Sequence, residues 1–168
     1  MTEPSMGSDL ASMTTTAIRD GDRYILNGSK TFITNGVHAD LVITAVKTDP
    51  AQRHKGMSLL VLERGMEGFE RGRNLEKIGQ HSSDTAQITF ENCRIPAENL
   101  IGEEGEGYKI ALSALEGGRI GIAAQSVGMA RSALEVAIDY SKERESFGTA
   151  IFNHQAVSFR LAECATRL

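Results

Sequence analysis

From Met13 to Cys93, apolar and polar residues alternate in short runs separated by turn residues. Met13 to Arg19, rich in Thr and Ile, runs into Asp20-Gly21, a hairpin signal, and Arg23 to Thr34 alternates through Tyr24, Leu26, Lys30 and Phe32. Asn27-Gly28, inside that stretch, reads as a further turn. Leu41 to Val46 and Met57 to Leu62 are apolar runs bounded by Asp49-Pro50 and Arg64-Gly65, and Thr85 to Phe90 repeats the alternation. Runs of this length, about ten residues apart with turn chemistry between them, predict an antiparallel barrel or sandwich. Around Ile95-Pro96 the period changes. After the acidic connector Gly102 to Gly107, the apolar residues Ile120, Ala123, Val127, Ala130, Leu134 and Ala137 recur at helical spacing. Gly117-Gly118 predicts a break between a first piece, Tyr108 to Leu115, and a main helix that ends before Gly148. A second helix, Asn153 to Leu168, carries Ala156, Phe159, Leu161 and Ala162 and runs off the end of the chain without a cap. The fold class is α+β, an antiparallel β-barrel followed by long helices. Two helices cannot cover both apolar stripes without further partners, so the bundle they begin is expected to be incomplete and the C-terminus a cut.

Composition narrows the class without choosing a function. The 168 residues make one large domain or a small domain with an appendage, and the 40% hydrophobic and 24% charged content is ordinary for a soluble protein. The 17 glycines agree with many turns. A net charge of −4 argues against a nucleic-acid partner, which favours a basic stripe. Cys93 and Cys164 follow neither a metal-ligand nor a redox spacing, and His38, His54, His81 and His154 are scattered, so no metal site is expected. No run of about 18 apolar residues and no signal segment occurs, which leaves an intracellular protein or the processed part of an imported one.

Candidate chemistry is thin residue by residue. In Met1 to Asp9, Pro4 fixes one φ angle, Gly7 can take positive φ, and Ser8 offers a hydroxyl and an N–H. That stretch is either a rigid turn whose donors hold an anion or cofactor edge, or a frayed terminus. Gly105-x-Gly107 lies among Glu103, Glu104 and Glu106, whose charges repel phosphate, and reads as a flexible acidic loop. Asn27 to Thr31 lacks the order of a phosphate loop and reads as a hairpin turn. Arg144 with Ser146 suits a bidentate phosphate contact, although the residues by themselves favour a cation complementing a helix C-terminus.

The order of the motifs says more. Thr-Glu-Pro-x-x-Gly-Ser-Asp from Thr2, Asn-Gly-x-Lys-x-Phe-Ile-Thr-Asn-Gly at 27 to 36, Gly118-Arg119-Ile120, and Glu143-Arg144-x-Ser146-Phe147-Gly148 followed by His154-Gln155 resemble the acyl-CoA dehydrogenase family across nearly the whole chain. The resemblance implies a middle β-barrel domain at 1–100 and the start of a C-terminal helical bundle at 101–168. It implies FAD as cofactor and acyl-CoA as substrate. Met1 and Thr2 would meet the pyrimidine side of the flavin, and Gly7 and Ser8 the pyrophosphate, with Ser8 also near the acyl-CoA. Ser5-Met6 departs from the small pair usual in the family. Phe32, Ile33 and Thr34 match the segment whose aromatic ring lies against the flavin and whose Thr hydroxyl bonds the N5 edge, with Phe in place of a frequent Trp. Arg144, Ser146, His154 and Gln155 match residues that reach the FAD of a neighbouring subunit, so a homo-oligomer, a dimer of dimers, is implied. Glu116 and Arg119 stand where related enzymes touch substrate; their other readings are a solvated helix residue and a structural ion pair.

In such enzymes a Glu removes the acyl α-proton while the β-hydride passes to flavin N5. That Glu lies beyond residue 168 in most members, or immediately before the helix Arg, where this chain has Gly118; no residue here matches. The expectation is therefore a fragment that binds flavin weakly and does not turn over, drawn from a cytoplasmic or mitochondrial matrix enzyme without a membrane span. An electron-transfer flavoprotein is the implied electron acceptor. Alternatives are an acyl-CoA oxidase or flavin monooxygenase relative on the same scaffold and, from a different class, a non-catalytic binding or assembly module.

Overall fold

The computed structural model describes all of residues 1–168. Strands β1 (Thr16–Asp20), β2 (Arg23–Thr34), β3 (Leu41–Lys47), β4 (Met57–Glu63), β5 (Phe69–Arg71), β6 (Thr85–Pro96) and β7 (Leu100–Ile101) form one seven-stranded sheet in the order β5-β6-β2-β1-β3-β4-β7. The expected barrel is not formed: β5 and β7 are free edges, and the sheet stays open. These edges are three and two residues long, short enough to blunt edge pairing. Nor is the sheet wholly antiparallel, since Thr16 of β1 pairs with Lys47 of β3 in parallel. It is curled enough that Phe69, near one edge, and Leu60, near the other, share a core cluster with Ala17, Tyr24, Leu26, Ile88 and Ile95. Tyr24, Leu26 and Ile88 are alternating positions read from the sequence, whereas Phe69 and Ile95 lie outside the predicted strands.

The Asp20-Gly21 signal is a hairpin, in which Asp20 pairs with Arg23 across a loop begun by Gly21 at φ 63°. Asn27-Gly28 is not a turn. It lies inside β2, where Gly28 (φ 140°) passes so close to Thr15 that a Cβ would stand 2.8 Å from the Thr15 Cα. Close backbone approach, not chain reversal, is what that glycine permits. Asn27 accepts a hydrogen bond from the Asn92 N–H (2.8 Å) across a bulge in β6. β1 also starts later than its Thr-rich run suggests, because Thr14 and Thr15 are bonded to the Glu3 carboxylate.

Helix α1 (Gly107–Glu143) is continuous through Gly117-Gly118, so the predicted break does not occur. The two glycines cost about 1 kcal/mol each against Ala, which 37 residues of cooperative helix absorb. Its start is pinned, which corrects the flexible-loop reading of Gly105 to Gly107. The Gly105 N–H donates to Ser58 Oγ (2.9 Å), and a Cβ on Gly107 would stand 2.6 Å from the Ser58 carbonyl carbon. The Tyr24 hydroxyl donates to the Glu104 carboxylate, which ties the connector to β2; burial and this carboxylate push the phenol up to about 12.

By contact density the chain divides into the units Met1–Leu112 and Ser113–Leu168. The second holds most of α1, the hairpin of β8 (Glu145–Ser146) and β9 (Thr149–Ala150), and α2 (Gln155–Arg167). α2 is shorter than predicted because Ile151–Asn153 form a 3-10 turn. No helix is long and apolar enough to cross a membrane.

Candidate functional site

In the first unit, the opening residues form an ordered turn. Glu3 and Met6 exchange backbone hydrogen bonds (3.0 and 3.2 Å) around Pro4-Ser5, and the Thr31 N–H donates to the Thr2 carbonyl (3.0 Å). Of the two readings of Met1 to Asp9, the rigid turn is the one found. Inside it sits a residue that sequence reasoning missed. The Glu3 carboxylate accepts from Thr14 N (2.8 Å), Thr14 Oγ1 (2.6 Å), Thr15 N (3.0 Å) and Lys30 Nζ (2.8 Å), and both partners of the ion pair have side chains only 1% exposed. Burial would raise the Glu3 carboxyl, but the Lys30 ammonium and the Thr14 and Thr15 donors outweigh it and hold it at about 2. Burial pulls Lys30 down, with the Glu3 carboxylate opposing. Lys30 Nζ also donates to the Met1 carbonyl (3.3 Å).

The turn docks on an irregularity in β2. Lys30 faces Ile88 and Ile33 faces Ala86, so three steps along β2 match two along β6. This bulge gives the Thr31 N–H to Thr2 and rolls Phe32 into positive φ (56°), leaving the residue 69% exposed. Ile33 packs on the core while Thr34 stays exposed. Met1, Thr2, Phe32, Ile33 and Thr34 are thus brought together by backbone bonds. Gly7 and Ser8 follow the turn on the surface, and nothing within 4 Å would meet a Cβ at Gly7. No hydrogen bond inside the chain uses their N–H groups or the Ser8 hydroxyl. A surface with an exposed ring, a neighbouring hydroxyl and unspent donors fits the aromatic and anionic parts of a dinucleotide.

In the second unit, Arg144 directly follows α1, its N–H bonded to the Tyr140 carbonyl and its guanidinium without an ion-pair partner in the chain. Ser146 Oγ lies 2.9 Å from His154 Nε2. His154 caps α2, taking N–H bonds from Val157 and Ser158, and Gln155 opens the helix. Phe147 and Gly148, at φ 54° and 77°, make the tight turn of the β8–β9 hairpin and leave Phe147 98% exposed, its ring edge-on to His154. Within its motif Phe147 has no role assigned from sequence, although a non-glycine residue before Gly in a two-residue hairpin loop signals this exposure. Glu116 and Arg119 are exposed on α1 and not paired with each other. An apolar groove of about 530 Å³ along Ala130, Leu134, Ala137, Leu161 and Cys164 involves none of the site residues.

Residues 1–93 match the family model described as acyl-CoA dehydrogenase, middle domain, and residues 105–168 that of the acyl-CoA dehydrogenase C-terminal domain. An acyl-CoA dehydrogenase of Bacillus subtilis is 48% identical over 167 residues, covering 99% of this chain and 44% of the relative. The crystal structure of an acyl-CoA dehydrogenase from Geobacillus kaustophilus superposes with a TM-score of 0.93 at 50% identity, covering 99% of this chain and 44% of that one. A chain in the structure of the electron transferring flavoprotein of Acidaminococcus fermentans gives 0.92 at 52% identity, with the same coverages. The chain thus spans less than half the length of these relatives. With both domain models matched in order and the sheet and helices superposing on solved members, the chain belongs to the acyl-CoA dehydrogenase family.

Proposed function

We propose that this chain supplies flavin- and acyl-CoA-binding surfaces of an FAD-dependent acyl-CoA dehydrogenase, which oxidises an acyl-CoA thioester to the 2-enoyl-CoA. Residues 1–100 act as its middle β domain and 101–168 as the start of its C-terminal helical domain. The observation that carries the reading is the docking of the N-terminal turn on the β2 bulge, which holds the Met1–Thr2 edge against the strand segment that presents Phe32 and Thr34. FAD, when bound, supplies the acceptor for the β-hydride at N5. Met1 and Thr2 would hold the pyrimidine edge, the Phe32 ring would lie against the flavin with Ile33 packed behind it on the core, the Thr34 hydroxyl would donate at the N5 edge, and Gly7 and Ser8 would bind phosphate oxygens. Ser8 also faces the acyl-CoA, and Glu116 and Arg119 touch the substrate. Arg144, Ser146, His154 and Gln155 contact the FAD of a second copy in a homo-oligomer, a role suited to an unpaired guanidinium and the Ser146–His154 pair. No residue here is assigned as the α-proton base, since Gly118 stands at the one family position for it that falls in this chain. The reading implies an electron-transfer flavoprotein as the acceptor for the reduced cofactor, in a bacterial cytoplasm or the mitochondrial matrix.

Titrating the protein with FAD tests the reading. Quenched flavin fluorescence and a resolved visible absorption band are expected, with binding weakened by Ser8→Ala and Thr34→Val. A preparation with native circular dichroism that leaves free FAD fluorescence unchanged would sink it. In a protein carrying the base, acyl-CoA is expected to bleach the flavin anaerobically, and slow reoxidation in air marks a dehydrogenase rather than an oxidase. The 168 residues alone are expected to bind FAD weakly and show no acyl-CoA-dependent dye reduction.

A further inference from the structure

We infer that the buried Glu3–Lys30 pair is a positioning clamp for the cofactor site, fixing the N-terminal turn to the β2 bulge so that the Met1–Thr2 edge and the Phe32–Thr34 segment hold one spacing. The inference rests on the flavin-site reading above. Three bonds join the two segments: Thr31 N to the Thr2 carbonyl, Lys30 Nζ to the Met1 carbonyl, and Lys30 Nζ to Glu3 Oε1. Lys30 sits two residues before Phe32, at the first position of the bulge, and Glu3 immediately follows Thr2. Each charged group is therefore a neighbour in sequence of the residues whose placement it controls.

An apolar pair of similar volume would fill the same space at less desolvation cost, so the choice of two buried charges asks for a reason other than stability. Directionality supplies one. The ammonium donates to an acceptor on each side of Thr2, the Met1 carbonyl and the Glu3 carboxylate, while that carboxylate also takes the N–H groups of Thr14 and Thr15 just before β1. Turn, β1 entry and β2 bulge are locked by one network, in which a shift of any member leaves a buried polar group unpaired. Apolar contact tolerates sliding and fixes no such register.

The test compares the full chain with the double variant Glu3→Gln/Lys30→Met, which removes both charges and leaves neither stranded. Amide exchange of the FAD-free protein is read first. The Thr31 and Met6 amides are expected to exchange faster in the variant, while core amides such as those of Leu60 and Ile88 keep their protection. FAD affinity is expected to fall on the order of tenfold, with an altered visible band. A folded variant with unchanged exchange at Thr31, or with wild-type FAD affinity and spectrum, overturns the clamp. If the wild-type chain binds no FAD, the flavin reading fails and the clamp with it as a cofactor device, whatever the exchange shows. If the double variant does not fold, Thr14→Val carries the test. It deletes only the 2.6 Å hydroxyl bond to Glu3 at an exposed position, and it is expected to quicken exchange at Thr31 and weaken FAD binding a few-fold while the chain stays folded with a modestly lower unfolding midpoint; unchanged binding overturns the proposal.

Discussion

Lys30 and Glu3 carry formal charges in a place where charge is expensive, and the consequences of changing either are asymmetric. Lys30→Met alone strands the Glu3 carboxylate and is expected to cost about 3–5 kcal/mol in urea unfolding, far more than the double variant. The pH dependence follows from the carboxyl. Its folded value, about 2, lies below its ordinary 4.5, so the stability it contributes is complete above pH 4.5 and is lost as the pH falls towards 2. The difference in urea midpoint between wild type and Glu3→Gln is expected to be constant near neutrality and to shrink across that window. None of this was legible beforehand. The partners lie 27 positions apart, and nothing local distinguishes Lys30 from a solvated strand lysine until the turn is docked on it.

Among the elements, α1 shows most clearly how surroundings override propensity. Gly107, Gly117 and Gly118 are helical, and at the two interior positions, Gly117 and Gly118, Ala is the better helix former by about 1 kcal/mol. At Gly117 and Gly118 nothing stands within 4 Å of a would-be Cβ, so Gly118→Ala is expected to raise the thermal midpoint. At Gly107 the Ser58 backbone occupies that space, and Gly107→Ala is expected to destabilise by about 1–3 kcal/mol. Melting curves of the two variants should move in opposite directions. Sequence pattern found the main strands, since Tyr24, Leu26 and Ile88 fall on the core side as their alternation requires and the apolar run Met57 to Leu62 is buried, while Ile95 lies beyond the predicted run, which ends at Phe90. It misread Asn27-Gly28 and Gly117-Gly118 because a glycine pair marks a turn, a close approach or nothing at all, depending on non-local neighbours. At the candidate site the residue identities were legible through the motifs. Their geometry was not, because it depends on the bulge and on positive φ at Phe32 and Phe147.

For the whole molecule, the two units differ in how much they bury. The first holds both hydrophobic clusters, whereas in the second Ser141 is the one buried residue, with Ile120, Met129, Val136 and Phe159 all exposed. Amides of β2, β3 and β4 are accordingly expected to resist exchange longest and those of α2 to exchange early. The bulge at Thr31-Phe32 has a partner. Summed residue numbers of paired positions on β2 and β6 run from 119 at Leu26/Cys93 to 118 between Gly28/Phe90 and Lys30/Ile88, and return to 119 at Ile33/Ala86. The two irregularities therefore cancel: one extra residue on β6, then one on β2. Parity along β2 nevertheless switches at the second, with the inward side chains even-numbered at Tyr24 and Leu26 and odd-numbered at Ile33. Regular pairing of the same residues, with no extra one accommodated at Thr31-Phe32, would undo the switch, turning Phe32 and the Thr34 hydroxyl into the core and Ile33 out to solvent. In this strand the count of residues, as much as their identity, decides which chemistry the surface displays.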